Sequence, residues 1–320
     1  MDEVSRTATA MVFPGMSPAR FADVGKFMLI NPFARKLVAA ASDRLGYSLV
    51  DRFRETPGDY SEYAQVAFMV NCVALAQWAE AELGVTPQVS AGPSFGEKPA
   101  AVHAGSVSFE DGVWLTAKLA RCLEEYFATE YQDVVTHSFV RTPREKLDEV
   151  LDELTGRGEW HEISCHIDHD FYMVSLREHN VEWLQRRIRD LGGFSLYTMR
   201  PPMHASPFGA LRRKAEDEVL GALPMADPRL PMVADQDGTV LRTAEGVRTM
   251  LLDSFVRPMR WIDVVATLKD LGVGTVCVAG PDSLFGRVAC TTDNFEVLAV
   301  DPRLALRPRR RSMAPAGGGA

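Results

Sequence analysis

Cysteine is scarce and dispersed in this 320-residue chain. Its five cysteines, Cys72, Cys122, Cys165, Cys277 and Cys290, are odd in number and lack any CxxC spacing. That pattern argues against a disulfide framework and against a zinc knuckle, and predicts reduced thiols in core positions of a cytoplasmic protein. Long apolar runs are also missing, and none reaches the roughly 20 residues of a membrane span. The opening residues, Met1-Asp2-Glu3-Val4-Ser5-Arg6, lack the pattern of a signal peptide. No membrane partner is expected. Basic residues are outnumbered, 35 Lys and Arg against 43 Asp and Glu, for a net charge of -8. This excludes a broad nucleic-acid-binding face. Basic residues collect only at the end, in Arg303, Arg307, Arg309, Arg310 and Arg311, ahead of a Gly- and Ala-rich stretch. Residues 303–320 therefore read as a solvated, disordered tail, with a docking patch for an acidic partner as the sharper alternative.

The 46% hydrophobic content is enough to fill a sizeable core. Within it, the segment Ala91-Gly92-Pro93-Ser94-Phe95-Gly96-Glu97 holds a Gly-x-Ser-x-Gly pattern. Such a pattern fits a nucleophile elbow, a sharp strand-to-helix turn on which a serine rides while glycines on both sides let the backbone pass. Thr86 to Ala91 reads as the strand entering it, and Ala100 to Ala104 as the helix leaving it. A Gly-rich turn that happens to hold a serine is the bland alternative.

Ala8 to Phe13 reads as a strand, Phe21 to Leu45 as a helix, and Ala64 to Leu83 as a strongly apolar helix. Phe109 to Tyr131 is a further long helix. This alternation predicts an α/β core with a mainly parallel sheet. From Val134 the order changes to strand (Val134–Val140), helix (Pro143–Leu154), two strands (Glu162–Ile167 and Phe171–Arg177), helix (Val181–Leu191) and strand (Phe194–Met199). The order βαββαβ is ferredoxin-like. The expected organisation is a hydrolase-like large α/β domain, residues 1–127 and 201–302, interrupted by a small ferredoxin-like domain, residues 128–200. After the small domain come helices over Pro207–Leu220, Ala244–Phe255 and Trp261–Leu271, and strands over Pro231–Ala234 and Thr275–Ala279. Asp235-Gln236-Asp237-Gly238 reads as a turn.

A serine nucleophile needs a base. Of the seven histidines, His204 is the best placed, in the stiff Pro-rich loop Arg200-Pro201-Pro202-Met203-His204-Ala205 where the small domain returns the chain. With these residues in view, the chain resembles the malonyl-CoA:acyl-carrier-protein transacylase family and the acyltransferases of polyketide synthases, from Val12 to about Val300. Phe13-Pro14-Gly15, Gln65, the elbow with Glu97, the inserted small domain, His204, Arg257-Pro258-Met259-Arg260-Trp261 and Gly280-Pro281 follow the family order. The resemblance implies an acyltransferase with a Ser94 nucleophile and a His204 base. It implies a histidine oriented by the backbone carbonyl of Arg257 and an oxyanion held by the N–H groups of Met16 and Phe95. It implies no resident cofactor; the phosphopantetheine arm of an acyl carrier protein, or coenzyme A, comes as substrate. Acyl carrier proteins are the expected partners. Arg141, Arg144, Arg200, Arg212, Arg213 and Lys214 would be the residues that steer one in, with ordinary surface charge as the bland reading of each.

Three departures from the family bear on the acyl pocket, for which Gln65, Pro93, Leu119 and Met203 are the predicted lining residues. Pro93 replaces the usual histidine before the serine, and Met16 the usual glutamine after Phe-Pro-Gly. Malonyl-type members hold the free carboxylate of the substrate with an arginine on the helix after the elbow. An ungapped count from Ser94 puts Leu119 there. Lys118 and Arg121 point roughly 100° and 200° away on a helix, unless a bulge brings Arg121 in. Met203 stands where the family varies with acyl size, and either suits a larger acyl unit or packs the loop. The expected reaction is transfer of a non-malonyl unit, such as the aminoacyl or dipeptidyl starters of macrolactam assembly. A malonyl transacylase, an acyl hydrolase that clears stalled carriers and a non-catalytic carrier-binding scaffold are the alternatives. His161, His166 and His169 with Asp168 and Asp170 match no standard zinc spacing and read as a solvated hairpin, with no metal site expected. Trp160, Trp183 and Trp261 read as packing anchors.

Overall fold

The computed structural model describes residues 7–18, 20–56, 58–281 and 284–308. The last part of the basic tail, residues 309–320, and Met1 to Arg6 lie outside the described residues.

Short, nearly unbroken apolar strands are the signature of a parallel sheet buried on both faces, and they assemble here into one. Its order is β11 (Glu296–Val300), β10 (Val273–Ala279), β1 (Ala8–Val12), β2 (Val89–Ala91), β7 (Met232–Val233) and β8 (Val240–Leu241). All neighbours are parallel except β7 and β8. Strand β2 is shorter than the predicted Thr86–Ala91, and β8 and β11 have no counterpart in the sequence reading. Around the sheet lie α1 (Phe21–Ile30), α2 (Pro32–Leu45), α3 (Leu49–Glu55), α4 (Glu62–Leu83), α5 (Glu97–His103) and α6 (Phe109–Thr129). Helix α4 is buried along most of its length, from Ala64 to Ala79, because α2, α5, α6 and β10 all pack on it.

The single helix predicted over Phe21–Leu45 is two. Pro32 disfavours a helical conformation at the residue before it, and Asn31 is extended, with φ -68° and ψ 130°. The Asn31 side chain then caps α2 by accepting from the N–H groups of Phe33 (3.0 Å) and Ala34 (3.3 Å).

The second sheet has the order β6 (Phe194–Met199), β3 (Val134–Val140), β5 (Phe171–Arg177) and β4 (His161–Asp168), all antiparallel, with α7 (Arg144–Gly156) and α8 (Val181–Asp190). This is the ferredoxin-like arrangement. The chain outside this unit supplies a fifth strand, β9 (Met259–Arg260), which pairs parallel with β4. Strand β9 follows Arg257 directly, and the Arg260 N–H donates to the carbonyl of Asp235 at 2.7 Å. One short segment thus ties the small sheet to the turn at the end of β7. Helices α9 (Gly209–Ala215), α10 (Ala244–Asp253) and α11 (Trp261–Asp270) complete the part that concerns the site. Among the described residues, no helix is long and apolar enough to cross a membrane.

Candidate active site

The chain leaves β2 at Ala91 and turns through Ser94 into α5. Ser94 takes the left-handed conformation, with φ +54°, which costs a residue with a Cβ about 1–2 kcal/mol. The turn is possible only between glycines. A Cβ on Gly92 would lie 2.1 Å from the Gly96 carbonyl oxygen, and one on Gly96 2.2 Å from the Phe13 carbonyl oxygen. The strained turn aims the Ser94 hydroxyl at His204: Oγ and Nε2 are 2.7 Å apart.

His204 also has a positive φ, +61°, and is only 2% exposed. Burial drives its pKa down to about 4, against the backbone carbonyls of Ser254 and Arg257, which favour the charged ring. The imidazole is therefore neutral near pH 7. A neutral ring whose Nε2 accepts from Ser94 carries its proton on Nδ1, on the side of those two carbonyls; neither completes a hydrogen bond of full geometry to it. The Arg257 side chain turns away to Asp237 (2.9 Å) and Asp253 (3.5 Å).

Beneath the elbow lies a buried carboxyl pair absent from the sequence reading. Asp235, 1% exposed, accepts a hydrogen bond from the Ser94 N–H, and its carboxyl meets that of Glu97. Desolvation raises the pKa of both, Glu97 well above its ordinary value. Two adjacent carboxyls in one buried site share a proton. Glu97 is the more strongly raised of the two, and Asp235 is the acceptor beneath Ser94. Gln236 closes the group by donating through Nε2 to Glu97 Oε1 at 2.7 Å. Asp-Gln-Asp-Gly looks like a solvated turn because those residue types populate turns. Only the contact between residues 141 positions apart reveals Asp235 as support for the elbow.

In front of Ser94 is a pocket. Met16, Gln65, Phe95, Leu119 and Met203 line it, with Leu123, Leu251 and Phe255. Gln65 is anchored by a hydrogen bond from its Nε2 to the Tyr60 carbonyl (2.9 Å). Pro93 does not line the pocket, contrary to the sequence reading. It is buried in the turn, where its carbonyl accepts the Gly96 N–H at 3.0 Å. Leu119 is 2% exposed and faces the pocket without a bulge in α6. Arg121 is not in the pocket wall; Glu62 holds it by two hydrogen bonds of 2.6 and 2.7 Å. Lys118 is also outside the wall.

One cation does reach the pocket, and the sequence reading passed over it. Lys98, four residues after Ser94, sits with Nζ 4.1 Å from the centroid of the Phe95 ring. Among the described residues it has no carboxylate partner in an ion pair. Burial lowers its pKa to about 8, with Glu97 acting in the opposite sense. Its side chain is partly exposed, and the space it is exposed to is the pocket.

A wider cleft shares Tyr60, Gln65, Leu123 and Pro201 with this pocket and extends to Arg200 and Glu178. Of the six basic residues read as docking positions, Arg200 alone lines that cleft, and it pairs with Glu178. Arg144 pairs with Asp148, Arg212 with Glu216 and Asp253, and Lys214 with Glu125 and Glu218. Arg213 and Lys214 border a separate surface hollow, and Arg141 lies in the loop after β3.

The histidine-rich hairpin is less solvated than its composition predicts. His166 and Asp168 are buried: His166 packs edge-on against Tyr172, and Asp168 accepts from the Cys290 N–H (3.0 Å). All five cysteines are buried. Trp261 is fully buried, its indole N–H donating to Thr291 at 2.8 Å.

Known proteins share this arrangement. A family model described as the VinK acyltransferase small domain matches residues 138–199. The malonyl CoA-acyl carrier protein transacylase of Bacillus subtilis strain 168 is 25% identical over 303 residues, covering 92% of this chain and 93% of that protein. The polyketide biosynthesis protein ThaF of Burkholderia thailandensis is 24% identical over 277 residues, which is 82% of this chain and 23% of ThaF. Among solved structures, a type II polyketide-synthase malonyl-transacylase in complex with its acyl-carrier protein superposes with a TM-score of 0.83 at 22% identity, over 94% of this chain and 98% of that one. FabD from Acinetobacter baumannii gives 0.82 at 19%, over 94% and 96%. The structural likeness shows a common fold, and the sequence likeness runs along nearly the whole chain. This protein is an acyltransferase, similar along nearly its whole length to the malonyl-CoA:acyl-carrier-protein transacylases.

Proposed function

We propose that this enzyme moves a non-malonyl acyl unit from a thioester donor, through an acyl-Ser94 ester, to the phosphopantetheine thiol of an acyl carrier protein. The observation behind the acyl-serine route is the 2.7 Å contact of Ser94 Oγ with a neutral His204. His204 Nε2 takes the hydroxyl proton as Oγ attacks the thioester carbonyl. The backbone N–H groups of Met16 and Phe95 would receive the oxyanion. The C–S bond then breaks, and the departing thiol takes the proton from His204. In the second half, His204 removes the proton of the acceptor thiol, the sulfur attacks the ester, and Ser94 leaves with the proton restored. What the relatives are named for, together with the cleft that adjoins the pocket, supports the carrier-bound acceptor.

The non-malonyl assignment rests on Leu119. At the position from which family members clamp a free carboxylate, this pocket presents an apolar side chain, and Arg121 is engaged by Glu62. An unpaired carboxylate brought into such a site would cost several kcal/mol. A second reading, malonyl transfer, has one observation in its favour: the Lys98 ammonium in the same pocket.

Intact-protein mass after incubation with malonyl, acetyl, longer acyl and aminoacyl thioesters, on coenzyme A and on carrier protein, tests the assignment. Neutral or aminoacyl units should add stably to the wild type, pass on to a second carrier rather than to water, and fail to add to Ser94→Ala. Addition of malonyl alone would overturn the non-malonyl assignment, and addition to Ser94→Ala would overturn the acyl-serine route.

A further inference from the structure

We infer that Lys98 is a specificity-determining residue of the acyl pocket, its ammonium donating to an oxygen acceptor on the acyl unit, and that the acceptor is an amide carbonyl. This rests on the acyl-Ser94 reading and specifies what the acyl unit must bring. Three observations meet here. Lys98 follows Ser94 by four residues across the turn into α5, so the two line one pocket. Among the described residues its ammonium forms no ion pair with a carboxylate, and it rests on the face of Phe95 at 4.1 Å. In the rest of the wall, apolar side chains such as Leu119, Leu123 and Phe255 stand beside Gln65, Glu97 and Ser254.

The physical argument concerns solvent. In the empty pocket, water completes the hydrogen bonding of the ammonium. An acyl unit that fills the pocket displaces that water. A purely aliphatic unit gives nothing back, and leaves a desolvated charge facing hydrocarbon. A unit with a free ammonium adds like-charge repulsion at low local dielectric. A unit with an oxygen acceptor replaces the lost water with a charge-assisted hydrogen bond. Amide carbonyl and carboxylate share that chemistry. The apolar wall and the missing second cation at position 119 favour the neutral amide, because a single ammonium completes one hydrogen bond, whereas a carboxylate needs both oxygens satisfied.

The test compares pantetheine thioesters of N-acetyl-β-alanine, hexanoate, β-alanine and malonate in wild type, Lys98→Met and Lys98→Arg, with kcat/KM for acylation of Ser94 as the readout. Wild type should prefer the N-acetyl-β-alanyl unit over hexanoyl by about 10- to 100-fold, the scale of a hydrogen bond to a charged group. Lys98→Met should abolish that preference through a selective fall in kcat/KM for the N-acetyl-β-alanyl unit, and an unchanged urea midpoint shows that the variant is folded. Lys98→Arg should keep the preference. Free β-alanyl should be a poorer wild-type substrate than N-acetyl-β-alanyl and should gain in Lys98→Met. An equal fall for all four substrates in Lys98→Met would mean Lys98 is structural, and no change would mean it does not face the acyl unit; either overturns the inference. If malonyl is the best substrate and Lys98→Met selectively removes it, the amide assignment and the non-malonyl assignment both fall while Lys98 remains the acyl reader. If N-acetyl-β-alanyl is accepted but is indifferent to Lys98, only the inference about Lys98 fails.

Discussion

The two sides of the Ser94 turn are built on opposite principles. On the floor, Asp235, Glu97 and Gln236 are buried polar groups linked to one another and to the Ser94 N–H, with only Asp235 Oδ1 left without a hydrogen-bond partner among them. On the pocket side, Lys98 is the cation of a wall in which apolar side chains stand beside Gln65, Glu97 and Ser254. A satisfied polar network in a low dielectric fixes geometry, because moving any member strands the others. An unsatisfied charge does the reverse, since its energy depends on what enters. The floor holds Ser94 in a strained backbone conformation, and in the proposed reading the wall discriminates between substrates.

Predictions that would break this contrast can be ranked by size. Replacing His204 with alanine removes the base and should slow acylation by about 10²–10⁴-fold, measured as burst rate by intact mass. Its pH dependence supplies a sign. Because burial lowers the pKa of His204 to about 4, the ring stays neutral and competent from pH 8 down to about 5, and activity dependent on it falls only as pH drops through about 4. A wild-type acylation profile with half-loss near pH 6.5 would mean a solvated histidine and a different site.

Next in size is the floor. Asp235→Ala leaves the Ser94 N–H without its acceptor and should cost roughly 1–3 kcal/mol of stability, read from the urea midpoint, with slower acylation for every acyl unit alike. Asp235→Asn keeps an acceptor oxygen and should be much milder. A substrate-selective loss in Asp235→Ala would erase the distinction between floor and wall. Smallest is the wall: Leu119→Arg should raise malonyl acylation by about tenfold, as one added charge-assisted pair would, and leave neutral acyl units within a fewfold of wild type. No gain in malonyl would mean that position 119 does not meet the acyl end.

The sequence was legible where a local rule had a local cause. The Gly-x-Ser-x-Gly turn was visible because each glycine answers a backbone clash within a few residues or against the neighbouring strand. The ferredoxin-like order was readable from the spacing of strands and helices. The break at Asn31-Pro32 was missed although its cause is local, because the apolar pattern runs on through it. Strands β8, β9 and β11 were missed for a different reason. Two are only two residues long, and β11, at the sheet edge, is largely unburied, so none makes a strong apolar signal. Lys98 could have been noticed as a charge in an elbow whose other residues are small or apolar. Asp235 offered no such signal.

The sequence by itself determined the strand–helix alternation, the elbow and the presence of a leucine in place of a clamp. These depend on periodicity, on steric exclusion around glycine, and on counting along one helix. Tertiary structure decided the rest: that Ser94 Oγ meets His204 at 2.7 Å, that Asp235 lies under the nucleophile, that Arg121 is spent on Glu62, and that Lys98 is left without a carboxylate. The reason is physical. Charge pairing and burial are settled between side chains far apart in the sequence, and whether an ionisable group is satisfied depends on which other groups the fold places around it.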